Sequence, residues 1–287
     1  MVGCIELPSK DLEIWDWHDL DAVRNNLRGH HILMKDLDST TAGYEELASP
    51  TANGGKGWQP IGAFITNYGY RGFDGILDGQ GYEIRDLFIN RPDEDAVGLF
   101  RHAQPEGVIK NIGMVNVTVI GRMRVGALVG LKGDGNVSNS YATGSVSGSI
   151  DVGGLVGLNG SGNVSNSYST GNVTGDAHVG GLVGLNWGNV SNSYSTGSVT
   201  GDAHVGGLVG SNNGAIVSNS FWDTQTSGQA TSDGGTGENT TQMMDIATFS
   251  DAAWNITAVA LNETNLAYIW NIVNGLTYPF LSWQSAV

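Results

Sequence analysis

The sequence predicts an all-β fold, a right-handed parallel β-helix (β-solenoid) of about 26 to 27 residues per regular turn, with a short N-terminal helical cap and an irregular C-terminal cap. Three observations carry this. Val125, Val152, Val179 and Val205 each open a Val-Gly-Ala/Gly-Leu-Val-Gly phrase, so the valines recur after 27, 27 and 26 residues. A second phrase, Asn-Val-Ser-Asn-Ser-Tyr, starts at Asn136, Asn163 and Asn189. A fixed period of this length marks one supersecondary unit stacked on copies of itself. Third, 44 glycines with six prolines and no Gly-X-Y period exclude collagen and suit tight corners and close stacking.

Taken in order, residues 1–29 form the N-terminal cap. Leu20, Val23 and Leu27 lie at helical spacing behind Asp16, Asp19 and Asp21, and Gly29 ends the segment. A single apolar stripe needs a surface to cover, and the open edge of a first turn supplies one. Residues 30–222 are the solenoid, with regular repeats over 124–222. His31 to Leu37 reads as a first strand, 38–56 as an excursion, and Ile84, Leu87, Ile89, Val97, Ile109, Val117 and Val119 mark short β-rich runs between glycines. Residues 223–287 are a polar loop, a last turn and a C-terminal cap, with one helix expected from Thr240 to Phe249. Trp15, Trp17, Trp254, Trp270 and Trp283 fall in the two end regions, where bulky rings close a core against water.

Within a repeat, Val164-Ser-Asn-Ser-Tyr-Ser-Thr170 alternates, so Val164, Asn166, Tyr168 and Thr170 are expected on one, inward face and Ser165, Ser167 and Ser169 outward. An inward amide needs a partner. The equivalent positions Asn111, Asn139, Asn166, Asn192 and Asn219 therefore predict a hydrogen-bonded asparagine ladder, and Tyr141, Tyr168, Tyr194 and Phe221 an aromatic column beside it. The Gly-Leu-Val-Gly strand leaves two options: the double glycine resets the phase, or Leu155 lies on the other face from Val152 and Val156.

Gly154-Leu-Val-Gly157 and its copies resemble the GLUG motif of bacterial and archaeal surface proteins, adhesin-like and IgA-peptidase-associated. The lead-in from Trp17 to Arg24, Leu33 to Asp38 and Trp58 to Gly62, and the close at Phe221 to Asp223 and Tyr278 to Leu281, resemble the usual flanks of such repeats. The resemblance implies a parallel β-helix in an extracellular or cell-surface setting. It implies no single activity, since the repeat is a scaffold carried by many proteins.

Net charge is −15, which disfavours nucleic acid and anionic membrane surfaces as partners. No apolar run is long enough to insert into a membrane, and the first ten residues lack the apolar core of a signal peptide. Cys4 is the sole cysteine, so stability comes from stacking without an intrachain disulfide.

Candidate sites follow from residue type. Asp36, Asp38, Asp74 and Asp78 sit in glycine-rich turns whose oxygens suit a structural calcium, although Asp-Gly is also ordinary turn composition. His178, His204 and Asp151 fall in one column with Arg124 and form a candidate transition-metal set, against a solvated Arg-Asp-His stack. Trp187 and Trp58 are candidate sugar-stacking rings, against simple packing on a neighbouring turn. Asp74, Asp78 and Asp86 are the catalytic candidates if the chain is an enzyme, with Asp86 taken to occupy the position of Asn111. No His-Glu-x-x-His zinc motif is present. Asn116, Asn136, Asn163, Asn172, Asn189, Asn239, Asn255 and Asn262 are sequons. The sequence thus favours an extracellular, non-enzymatic module of a larger surface protein, a stalk or adhesive surface. Its expected partners are a glycan or a host or neighbour-cell component, with no cofactor unless calcium. The alternative is a β-helix polysaccharide lyase or glycoside hydrolase.

Overall fold

The computed structural model describes residues 11–65 and 69–284 and is a β-solenoid of about five turns. One regular turn shows the plan. Asn163–Ser165 lies in a first sheet (I), Tyr168–Ser169 and Asn172–Thr174 in a second (II), Ala177–Gly180 in a third (III) and Val183–Asn186 in a fourth (IV). Each regular turn thus contributes to four sheets. All four are parallel between successive regular turns, in repeat register: Val164 pairs with Val190, Tyr168 with Tyr194, Val179 with Val205 and Val183 with Val209. The core is a continuous axial file of Val125, Val152 and Val179, Leu128, Leu155, Leu182 and Leu208, and their sheet I and II counterparts.

The repeated glycines set the width of the coil. A Cβ on Gly157 would come within 2.5 Å of the Arg124 carbonyl carbon and Val125 nitrogen, and one on Gly153 within 2.6 Å of the Gly184 nitrogen. Sheets III and IV thus meet backbone to backbone, a separation that excludes any side chain. The corner between them resets the phase, so Leu155 points inward with Val152 and Val156, which resolves the option left open above.

A second phase change corrects the serine and asparagine assignment. Asn111, Asn139, Asn166, Asn192 and Asn219 all adopt left-handed backbone, with φ of 54°, 48°, 48°, 48° and 47°. This is a conformation that asparagine tolerates and β-branched residues do not. One such residue breaks strict alternation, so Ser167 and Ser169 turn inward to complete burial. The serines form the interior ladder. The Ser140, Ser167 and Ser193 amides donate to the hydroxyls of Ser167, Ser193 and Ser220 at 3.3, 3.1 and 3.2 Å, and each hydroxyl from Ser140 to Ser220 donates to the carbonyl two residues back. In the asparagine column the amide bonds link Asp78, Asn111 and Asn139 at 3.0 Å each. The Asn139 Oδ1 is buried without a donor, so the bonded chain stops there. What unites this column is the corner conformation.

At the N-terminal end, Leu12–Ile14 pairs with the strand His30–Leu33, and a helix, Trp17–Ala22, follows with Asp16 accepting from the His18 and Asp19 amides. A 3-10 turn, Val23–Asn25, completes the segment. Trp17, Leu20 and Val23 are fully buried, and Trp17 packs against Trp58 at 5.9 Å and Tyr44 at 5.8 Å.

At the other end, Trp222 replaces the small inward residue Ser195 of the preceding turn and fills the interior. Residues 224–238 then lie over the last coil: the Gly207 amide donates to the Thr231 carbonyl, and the Asp233 amide to that of Val209. The expected single helix is two short ones, Thr240–Met243 and Ile246–Ser250, the second capped by Asp245. The remainder lies along the flank of the solenoid, where the sequence had suggested an end cap. Tyr141, Tyr168, Tyr194 and Phe221 point out from sheet II, opposite to the expected inward face. Met243, Phe249, Trp254, Trp270, Ile272 and Leu281 cover them in a second hydrophobic core. Tyr141, Tyr168 and Tyr194 stack with ring centroids 4.8 Å apart and interplanar angles of 4°, the rise of one strand. Trp270 touches both Tyr168 and Tyr194, and Trp283 reaches Tyr141.

Candidate functional site

The carboxylates proposed as catalytic or calcium ligands are held apart by separate partners. Asp74, at the entry to sheet I, receives the Arg28 guanidinium and the Glu106 amide, both at 3.2 Å. Asp78 ends the strand Ile76–Asp78 and meets Lys110 at 3.1 Å. Burial pushes its carboxyl upward, and donation from Asn111, the Gln80 amide and Lys110 outweighs this, holding it below the ordinary carboxylate value. Asp86 adopts left-handed backbone within sheet II and accepts from Asn116 at 2.7 Å, so its counterpart one turn on is Asn116 and not Asn111. Asp74 and Asp86 line different clefts. Asp36 accepts the Glu83 amide at 2.9 Å, and Asp38 accepts the Thr40 amide and hydroxyl at 2.8 and 2.7 Å. Each of these four carboxylates is thus engaged by its own partner.

The histidine column is a polar stack with a hydrogen bond between His178 and Asp151. Arg124, Asp151, His178 and His204 share left-handed backbone, with φ between 51° and 58°. They therefore sit side by side at the start of sheet III. His178 Nδ1 lies 2.8 Å from Asp151, whose other oxygen is 4.0 Å from Arg124, and the two imidazoles are 5.2 Å apart. Among the described residues no three His, Cys, Asp or Glu side chains group to hold a metal ion. Cys4 lies outside the described residues.

The two tryptophans part company. Trp58 is fully buried and donates its indole N–H to the Leu99 carbonyl at 3.2 Å, so it is closed to any ligand. Trp187 is 59% exposed on the corner between sheets IV and I, two residues before Asn189. Ile216 stands exposed on the same corner one turn on. Beside Trp187 runs a ladder that the sequence reading took only for sequons: Asn163 donates its amide to Asn136 and Asn189 to Asn163, each at 3.1 Å. Asn163 and Asn189 are exposed. The signal was present as one asparagine opening each Asn-Val-Ser phrase.

A further ladder, behind this corner, also went unread. Asn159 donates to Asn186 at 2.6 Å and Asn186 to Asn212 at 2.8 Å. Lys132 holds the equivalent place one turn earlier, fully buried, its ammonium donating to the Gly135 carbonyl at 2.5 Å. Burial pulls its pKa down to about 7.

Comparison with known proteins bears on the repeat and the fold. Residues 121–147, 148–174 and 175–200 each match the GLUG motif. These three coils are GLUG repeats. The chain is 34% identical over 131 residues to halomucin of Haloquadratum walsbyi, a match covering 45% of this chain and 1% of that protein. It is 38% identical over 116 residues to a candidate Gly-rich membrane protein of Evansella cellulosilytica, covering 39% of this chain and 12% of that one. The chain thus matches a small part of the length of either relative. Among solved structures, a candidate immunoglobulin A1 protease from Bacteroides ovatus superposes with a TM-score of 0.68 over 97% of this chain and 94% of that one at 18% identity. That likeness establishes the common fold.

Proposed function

We propose that this GLUG solenoid is an extracellular, non-enzymatic module of a larger cell-surface protein and that its Trp187 corner is an adhesive, glycan-binding surface. The observation that carries the reading is the exposed indole next to the Asn136–Asn163–Asn189 amide ladder, whose Asn163 and Asn189 are exposed. An indole face takes the apolar face of a pyranose ring, and the outer amide groups offer donors and acceptors to its hydroxyls. The GLUG repeats and the names of the relatives, a halomucin and a membrane protein, support the surface setting. Retaining or inverting hydrolysis needs two carboxylates about 5 to 9.5 Å apart across a groove. Asp74, Asp78 and Asp86, each tied to its own partner, give the enzyme alternative no support.

A glycan array probed with the intact protein, with and without calcium and with a product assay on each hit, tests the reading. Binding without turnover, lost in Trp187→Ala, is the expected result. Turnover of any hit, or the absence of any hit whose binding depends on Trp187, would overturn it.

A further inference from the structure

A cleft of about 540 Å³ opens on the N-terminal shoulder, away from Trp187, lined among others by Asn25, Asn26, Arg28, Arg71, Asp74 and Gln104. Its floor is fixed by the backbone. The Phe73 amide donates to the His102 carbonyl at 2.8 Å, the Asp74 amide to that of Leu27 at 2.8 Å, and the Gln104 amide to that of Phe73 at 2.7 Å. A Cβ on Gly72 would come within 2.5 Å of the His102 carbonyl oxygen, and one on Gly75 within 2.2 Å of that of Gly29. The cleft therefore exists before any ligand arrives.

Its charge runs against the rest of the molecule. The chain has 13 basic and 28 acidic side chains, and elsewhere the arginines are matched: Arg24 with Asp21, Arg91 and Arg101 with Glu94, Arg122 with Asp95. Here the lining holds two guanidiniums and one carboxylate. Arg28, with its side chain 85% exposed, meets Asp74 through Nε alone, which leaves its two terminal nitrogens for another partner. Asp74 gives its other oxygen to the Glu106 amide and so acts as a positioning residue for Arg28. Arg71 is exposed and makes no ion pair among the described residues. The lining thus carries one net positive charge, two planar forks of donors and the side-chain amides of Asn25, Asn26 and Gln104.

The geometry points to a binding site for a carboxylate-bearing sugar, a uronic acid residue, with Arg71 and Arg28 on its carboxylate and the amides on its hydroxyls. Guanidinium matches carboxylate through two parallel N–H donors. A single net charge suits a monoanion better than a phosphate ester, and the volume falls in the range of small-molecule sites. The site is independent of the Trp187 surface, so either can fail without the other.

The test is an NMR titration of the intact protein with D-glucuronate, D-glucose and sodium sulfate, following resonances of Gly72 and Gln104. Glucuronate alone is expected to shift them, with affinity lowered about tenfold or more in Arg71→Ala, the loss expected for one charge-assisted contact. Arg71→Lys is expected to recover part of that affinity. Both arginines are on the surface, and a thermal melt of each variant checks that folding is intact. No response to glucuronate, an equal response to glucose, a response to sulfate matching that to glucuronate, or indifference to Arg71→Ala would each overturn the assignment.

Discussion

The Tyr168 hydroxyl and the Gln284 side chain, 116 residues apart, are hydrogen-bonded to each other, with the Gln284 amide donating at 2.8 Å. The same segment takes the Tyr194 hydroxyl on the Pro279 carbonyl at 2.5 Å and sends the Trp254 indole N–H to the Asn219 carbonyl at 2.7 Å. These bonds place polar tips at the rim of an apolar layer, so the flank segment fastens neighbouring coils to one another.

Trp270 lies at the centre of that layer and is fully buried against Tyr168, Tyr194 and Trp254. Trp270→Ala is expected to cost about 3–5 kcal/mol, the range for emptying a large aromatic site. Equilibrium unfolding in urea measures it. The companion expectation is that the tyrosines, whose hydroxyls burial now pushes well above their ordinary value, titrate closer to that value in the variant.

Gly157→Ala tests why the repeat carries its glycines. The added methyl meets backbone atoms of the previous turn at 2.5 Å, where no rotamer change gives relief. Overpacking of this kind costs about 1–3 kcal/mol. Gly214→Ala is a poor control because its φ is positive, whereas Ser161→Ala, at an exposed loop site, is expected to leave the melting temperature unchanged.

Lys132 predicts a pH dependence. Its folded pKa of about 7 lies below the ordinary lysine value of 10.5, so between these two values the unfolded chain holds the proton and the folded chain does not. By linkage, stability from this group is least below pH 7 and rises as pH increases from about 7 to 10.5. Lys132→Asn is expected to abolish that rise. It also extends the Asn159–Asn186–Asn212 ladder and offers a donor to Asn159 Oδ1, which is buried without one. A gain of about 1–3 kcal/mol at pH 6 is the corresponding expectation. Denaturation midpoints of both proteins at pH 6 and 9 decide it.

Trp187→Ala separates surface chemistry from stability. The ring is 59% exposed, so the melting temperature is expected to stay within the change typical of surface sites, about 0.5 kcal/mol or less. Glycan binding at that corner is expected to fall in the same variant, measured by the array signal and by calorimetry on one hit.

The period of Val125, Val152, Val179 and Val205 was enough to read the solenoid, because a repeated apolar set can be buried only by stacking in register. Orientation within the coil was not readable by parity. Asn166 and its counterparts hold left-handed backbone, and a single such residue inverts every later side chain on the strand. That is why Ser167 went inside and Tyr168 outside, contrary to the alternation. The tyrosine column could not be assigned to a second core without knowing that residues 240–284 return along the flank, a long-range contact with no local signal. The site residues fared by exposure. Trp187 was recognisable as a ring in a polar corner, whereas Trp58, equally plausible in sequence, is sealed by Trp17. The Arg28 and Arg71 cleft joins residues from the cap and from the turn before sheet I, which only folding brings together.

The flank segment also turns the described chain back on itself. Leu12–Ile14 pairs with the strand that adjoins the first full turn, and Trp283 packs beside Gly81 of that same turn. The returning segment thus reaches from the last coil toward the first, meeting Phe221, Tyr194, Tyr168 and Tyr141 on the way. It lies along the coils like a splint, so that slippage of one coil against the next has to break it.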